Sequence, residues 1–181
     1  IQSTNPSLGF VRDNTISNLS GNYVRGISFN LSNYATDAQI IRNRIHTLNS
    51  ISSTTTDGVV KGMYIYNYGE PGQLKIYNNL VGLLTAPNSA AQNAISGMDL
   101  SCSNMTSLFT ADIANNTIYF NATSIGANFG TSGITEYVSA LNSTFNRLLL
   151  RNNIIVNNSN PSGTGSTCAF RRSGLLTQSY H

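Results

Sequence analysis

The chain has 181 residues, 40% of them hydrophobic, enough for one domain with an apolar interior. Only 9% are charged, ten Lys and Arg against seven Asp and Glu, while 25 Asn, 23 Ser and 18 Thr supply the polarity. Recurrent apolar residues exclude intrinsic disorder, no apolar run approaches the ~20 residues of a membrane span, and the bases are too scattered for the basic stripe of a nucleic-acid reader.

Along the chain two short patterns alternate. The first element, Val11-Arg-Asp-Asn14-Thr-Ile16, reads apolar-x-x-Asn-x-apolar and is followed by Gly26-Ile-Ser-Phe29. The pair returns as Ile40-Ile-Arg-Asn43-Arg-Ile45 with Gly62-Met-Tyr-Ile65, and as Ile76-Tyr-Asn-Asn79-Leu-Val81 with Gly97-Met-Asp-Leu100. A fourth copy, Ile113-Ala-Asn-Asn116-Thr-Ile118, precedes Gly133-Ile-Thr-Glu136, and a fifth, Leu150-Arg-Asn-Asn153-Ile-Ile155, precedes Thr167-Cys-Ala-Phe170, which lacks the glycine. The asparagines are 29, 36, 37 and 37 residues apart and the second markers 36, 35, 36 and 34. A fixed period of this kind signals a repeat architecture.

Alternation of apolar residues within each marker predicts short strands and no helix, with turn formers such as Thr85-Ala-Pro-Asn-Ser89 and Asn157-Asn-Ser-Asn-Pro-Ser-Gly163 between them. Strands that recur once per period in one direction must pair in parallel, which coils the chain into a solenoid. The apolar residues flanking each marker asparagine are an odd number of positions apart, so a corner must lie between them. Asn14, Asn43, Asn79, Asn116 and Asn153 are expected to take the left-handed conformation there and to hydrogen-bond to one another as a ladder.

These residues resemble the repeat of the right-handed parallel β-helix of secreted bacterial proteins. The segment from Leu150 to Ser159, with Ala169-Phe-Arg-Arg-Ser173, resembles repeats in Bacteroidetes-type surface proteins of the type IX-exported family. The resemblance implies an all-β right-handed solenoid of about five coils of ~36 residues. It also implies one domain over residues 1–181, a secreted or cell-surface location, and a fragment of a longer solenoid that lacks at least one cap. Such families include polysaccharide lyases and hydrolases as well as adhesins and stalks.

Single residues add candidates. In Gly62-Met-Tyr-Ile-Tyr-Asn-Tyr68, alternation sends Tyr64, Tyr66 and Tyr68 outward as a row of rings that suits sugar faces, with Asp99 and Ser101 on the adjoining coil. Among the seven acids, Asp13, Asp37, Asp57, Glu70, Asp99, Asp112 and Glu136, only Asp99 and Glu136 fall close together on successive coils. Glu136 would point inward unless a bulge re-aims it toward Asp99 as a catalytic pair. Cys168 is placed in the inward column of Met63 and Met98, nearly two coils from Cys102, so both are expected as free, buried thiols. His46 and His181 have no ligand partners at suitable spacing, and no metal or cofactor is expected.

The functional expectation is a non-enzymatic structural or adhesive segment that contacts polysaccharide. A carbohydrate-active enzyme using Asp99 and Glu136, and a fibre module that stacks on neighbouring coils or copies of itself, are the alternatives.

Overall fold

The structure is a computed structural model that describes residues 1–4, 8–31, 37–53, 58–68, 71–103, 109–138 and 146–173. Asp57, Glu70 and His181 lie outside the described residues. After β1 (Gln2–Thr4), strands come in threes: β2 (Leu8–Arg12), β3 (Thr15–Gly21) and β4 (Tyr23–Leu31), then β5 (Asp37–Ile41), β6 (Arg44–Ser50) and β7 (Val59–Tyr68). The next are β8 (Gly72–Tyr77), β9 (Leu80–Thr85) and β10 (Ile95–Ser103), then β11 (Phe109–Ala114), β12 (Thr117–Phe120) and β13 (Thr131–Val138). The last are β14 (Asn146–Arg151), β15 (Ile154–Asn157) and β16 (Thr167–Ser173).

Every third strand pairs in parallel with its counterpart in the next triplet, which gives a parallel β-solenoid with three walls. Sheet I has the order β1-β4-β7-β10-β13-β16, sheet II β2-β5-β8-β11-β14 and sheet III β3-β6-β9-β12-β15. Three turns, β5–β7, β8–β10 and β11–β13, have a neighbour on both sides in all three sheets, so the solenoid has about three complete turns rather than the about five coils expected from the repeat. The flanking triplets are stacked on one side only, except that β1 also pairs with β4.

Each wall contributes an inward column. Val11, Ile40, Ile76, Ile113 and Leu150 stack on sheet II, and Ile16, Ile45, Val81, Ile118 and Ile155 on sheet III. Ile27, Met63, Met98, Ile134 and Phe170 stack on sheet I. In the three interior turns all nine of these side chains are fully or almost fully buried, and each contributes about 1.5–3 kcal/mol relative to exposure. Apolar periodicity thus turns directly into wall positions.

The corner between sheets II and III corrects one expectation. The left-handed residue is not the ladder asparagine but the one before it: Asp13, Arg42, Asn78, Asn115 and Asn152 have φ of 59°, 54°, 57°, 57° and 52°. That twist turns the following asparagine inward, where Asn43, Asn79 and Asn116 are buried. The Nδ2 of each ladder residue donates to Oδ1 of the next, Asn14 to Asn43 at 2.9 Å, Asn43 to Asn79 at 3.0 Å, Asn79 to Asn116 at 2.9 Å and Asn116 to Asn153 at 3.0 Å. The same oxygens accept the backbone N–H of the preceding ladder residue, and from Asn43 onward Nδ2 also donates to a carbonyl of the preceding turn. An amide is needed because the site requires donor and acceptor on one short side chain.

The glycine markers have a different cause. A Cβ on Gly62 would come within 2.6 Å of the Gly97 carbonyl oxygen, and one on Gly97 within 2.6 Å of the Gly133 oxygen. In β4 and β7 the glycine and the residue after it are both buried, so alternation slips by one at this column. Ala169, not Thr167, occupies the fifth place, because Ser132 pairs with Cys168 and Ile134 with Phe170. Cys168 therefore leaves the expected methionine column. It shares the outward column of Lys61, Ser96 and Ser132 and is half-buried, while Cys102 is buried, and both are free thiols.

Candidate functional site

The outer face of sheet I carries the tyrosines. The slipped alternation puts Arg25 and Ser28 outward on β4, and Lys61, Tyr64, Tyr66 and Tyr68 outward on β7. Register then sets Asp99 opposite Tyr64, Ser101 opposite Tyr66 and Ser103 opposite Tyr68 on β10. Tyr64 and Tyr66 are near-parallel, with centroids 6.4 Å apart at 13°, and Tyr66 and Tyr68 are 6.3 Å apart at 32°. The Tyr66 hydroxyl is 2.9 Å from Ser103 Oγ. Tyr137 lies in the Tyr66 column two strands away and is exposed.

The three rings are not equivalent. Arg25 Cζ lies 3.9 Å from the Tyr64 centroid and 4.6 Å from that of Tyr23, whose hydroxyl accepts from Arg25 Nη2 at 3.2 Å. Lys61 Nζ lies 4.5 Å over Tyr64. Tyr64 is therefore covered by cations, and the aromatic surface left for a ligand is that of Tyr66 and Tyr68, the latter 52% exposed. Burial raises the pKa of the Tyr64 phenol despite the two cations beside it. An open hollow of about 470 Å³ adjoins this cluster, lined by Ile1, Tyr23, Arg25 and Ser28.

Asp99 is committed to Lys61, Nζ to Oδ2 at 2.6 Å, and both side chains are largely shielded from solvent. Burial alone would lower the Lys61 pKa, but the Asp99 charge and hydrogen bond, with a smaller contribution from Tyr23, outweigh it and raise the value. Lys61 stays protonated and is no general base at neutral pH. Beside this pair the face is closed by hydroxyls: Ser132 Oγ donates to Asn93 Oδ1 at 2.7 Å, Ser96 and Thr135 are 3.2 Å apart, and Arg171 Nε donates to Ser132 Oγ at 2.7 Å.

The two carboxylates considered as a catalytic pair are not brought together. Asp99 is opposite Thr135 on the outer face, whereas Glu136 is opposite Leu100 and points into the solenoid. No bulge re-aims it. Glu136 is instead paired with Arg172 at 3.0 Å, its register neighbour on β16. Burial, together with the Glu136 charge, pushes the Cys102 thiol up to about 12, so it is an inert core group rather than a nucleophile. Among the described residues no three His, Cys, Asp or Glu side chains gather as a metal site.

Arg25, Lys61 and Tyr23 are members of this site that sequence reasoning did not single out. The signal was present, since Arg25 and Lys61 each directly precede a marker glycine, 36 residues apart. No family model, no curated protein and no solved structure matches the chain.

Proposed function

We propose that this chain is a non-enzymatic, rigid display segment of a secreted or surface-anchored solenoid, right-handed in sense, that contacts neutral polysaccharide along the outer face of sheet I. Parallel β-connections are overwhelmingly right-handed because of strand twist, which favours that sense. The supporting observation is the inequality of the rings. Tyr66 and Tyr68 present aromatic surface beside the hydroxyls of Ser101 and Ser103, while the acid of the same face, Asp99, is neutralised by Lys61. Sugar C–H faces pack on such rings and sugar hydroxyls meet the neighbouring polar groups. A stiff parallel stack holds these groups in place at no further ordering cost.

Affinity electrophoresis through gels containing a panel of polysaccharides tests the reading. Retention in at least one gel, lost in Tyr66→Ala with Tyr68→Ala and kept in Tyr137→Phe, is the expected result. Equal mobility of wild type and the double variant in every gel would remove it. Release of reducing ends or unsaturated uronates by the wild type would favour an enzyme, which the separation of Asp99 and Glu136 by the sheet argues against.

A further inference from the structure

The outer face of sheet II holds a second hollow, distinct in chemistry from the tyrosine face. Three strands present the same two outward register positions: Gln73 and Lys75 on β8, Thr110 and Asp112 on β11, and Arg147 and Leu149 on β14. These six residues, with Leu74, line a hollow of about 350 Å³. A smaller hollow of about 160 Å³, lined by Tyr77, Ala114, Asn115, Arg151 and Asn152, continues along the same face toward the asparagine corner.

What marks the hollow is which groups are already engaged. Its acid is spent: Asp112 accepts from the Tyr77 hydroxyl at 2.6 Å and is ion-paired with Arg151. Its donors are not. Among the described residues, the side chains of Gln73, Lys75, Thr110 and Arg147 make no hydrogen bond or ion pair. Asp37 lies opposite Gln73 on β5, outside the lining. The cations lie diagonally across β11, Arg147 opposite Thr110 and Lys75 opposite Asp112, two strand spacings of ~4.8 Å and one pleat repeat of ~6.6 Å apart at the backbone, and both side chains are long enough to reach the space between them. The Asp112 charge is shared between Arg151 and Lys75, so the lining together with Arg151 carries three cations against one carboxylate, and, besides them, an amide and a hydroxyl.

We infer that this hollow binds a dianionic tetrahedral oxyanion, the phosphate of a small phosphate ester or inorganic phosphate itself, between Lys75 and Arg147 and above Thr110. Arg147 supplies a planar fork and Lys75 a point charge, the two ways in which proteins engage phosphate. Two cations match a dianion, and Gln73 and Thr110 supply donors for the remaining oxygens. The hollow exceeds a bare ion, which leaves room for the organic body of an ester. The inference does not depend on the tyrosine face, since no residue is shared.

Calorimetric titration at about pH 7.5, where phosphate is mostly dianionic, tests it with inorganic phosphate and with glucose 6-phosphate at constant ionic strength held with chloride. Saturable one-to-one binding is expected, weakened ~10-fold or more in Lys75→Gln and in Arg147→Gln and unchanged in Arg12→Gln, a cation of the same sheet outside the hollow. Tighter binding of the sugar ester than of the ion identifies an ester site, and equal binding an ion site. The absence of saturable binding for both probes would overturn the inference. So would equal affinity in the wild type and in a Lys75→Gln, Arg147→Gln double variant whose circular dichroism and melting are unchanged.

Discussion

The corner between sheets II and III and the outer face of sheet I are built from the same turns by opposite rules. At the corner every turn repeats one device, a left-handed residue followed by an inward asparagine, because each amide must complete the one before it. On the outer face one column changes at every turn: Ser28, Tyr64, Asp99, Thr135 and Arg171 succeed one another at a single register position. Residues that serve the stack recur, and residues that face outward are free to differ. At the corner, recurrence therefore marks support, and on the outer face departure from it marks positions that the stack does not dictate.

The comparison breaks most severely at an interior amide. Asn79→Leu removes the acceptor for two Asn43 donors and the donor to the Ile40 carbonyl, all of them buried. It should cost about 4 kcal/mol in urea unfolding. Asn14→Leu, at the solvent-accessible start of the ladder, should cost about a third of that. Equal losses at the two positions would mean that burial does not set the value of the ladder.

A smaller effect separates two glycines. Gly97→Ala forces a Cβ to 2.6 Å from the Gly133 oxygen and 2.8 Å from Ile118 Cγ2, whereas in Gly82→Ala the closest approach is 3.3 Å, to the Tyr119 oxygen. The first should cost about 2–3 kcal/mol by overpacking and the second well under half as much, read as midpoint shifts at constant slope.

The smallest effect belongs to an outward pair. Burial raises the Asp112 pKa, but hydrogen bonds from Tyr77 and Arg151 and the charges of Arg151 and Lys75 outweigh it, so the folded value lies below the ordinary 3.8. The stabilisation is therefore present above the unfolded value and lost as pH falls through the folded one. With the Arg151 side chain 59% exposed, the contribution is under about 1 kcal/mol. Asp112→Asn should lower stability by up to that amount at neutral pH and abolish its loss below about pH 4, so that wild type and variant converge in acid.

The parts that repeat were the parts legible in the sequence. The spacing of Ile40, Asn43 and Ile45 contains the wall, the corner and the next wall. The left-handed residue could not be placed, because Arg42, a residue type with no preference for that region, stands with Asp13 where three other turns have asparagine. Ala169 hid the fifth glycine position, which shifted Cys168 into the wrong column and concealed the pairing of Glu136 with Arg172. The left-handed residues of sheet III, Asn18, Thr47 and Leu83, have no common chemistry. On the outer face, alternation located Tyr64, Tyr66 and Tyr68, but the cover over Tyr64 depends on the slip at Gly62, which only the backbone reveals.

The central claim is that the turns stack through a continuous chain of asparagine amides. Nuclear Overhauser spectra of the amide-labelled protein, recorded with hydrogen exchange, address it directly. The account predicts cross-peaks linking the side-chain amides of Asn43, Asn79 and Asn116 in series, with Asn79 the most protected from exchange. Rapidly exchanging, unconnected asparagine amides, or contacts pairing β7 with β10 in antiparallel register, would contradict it.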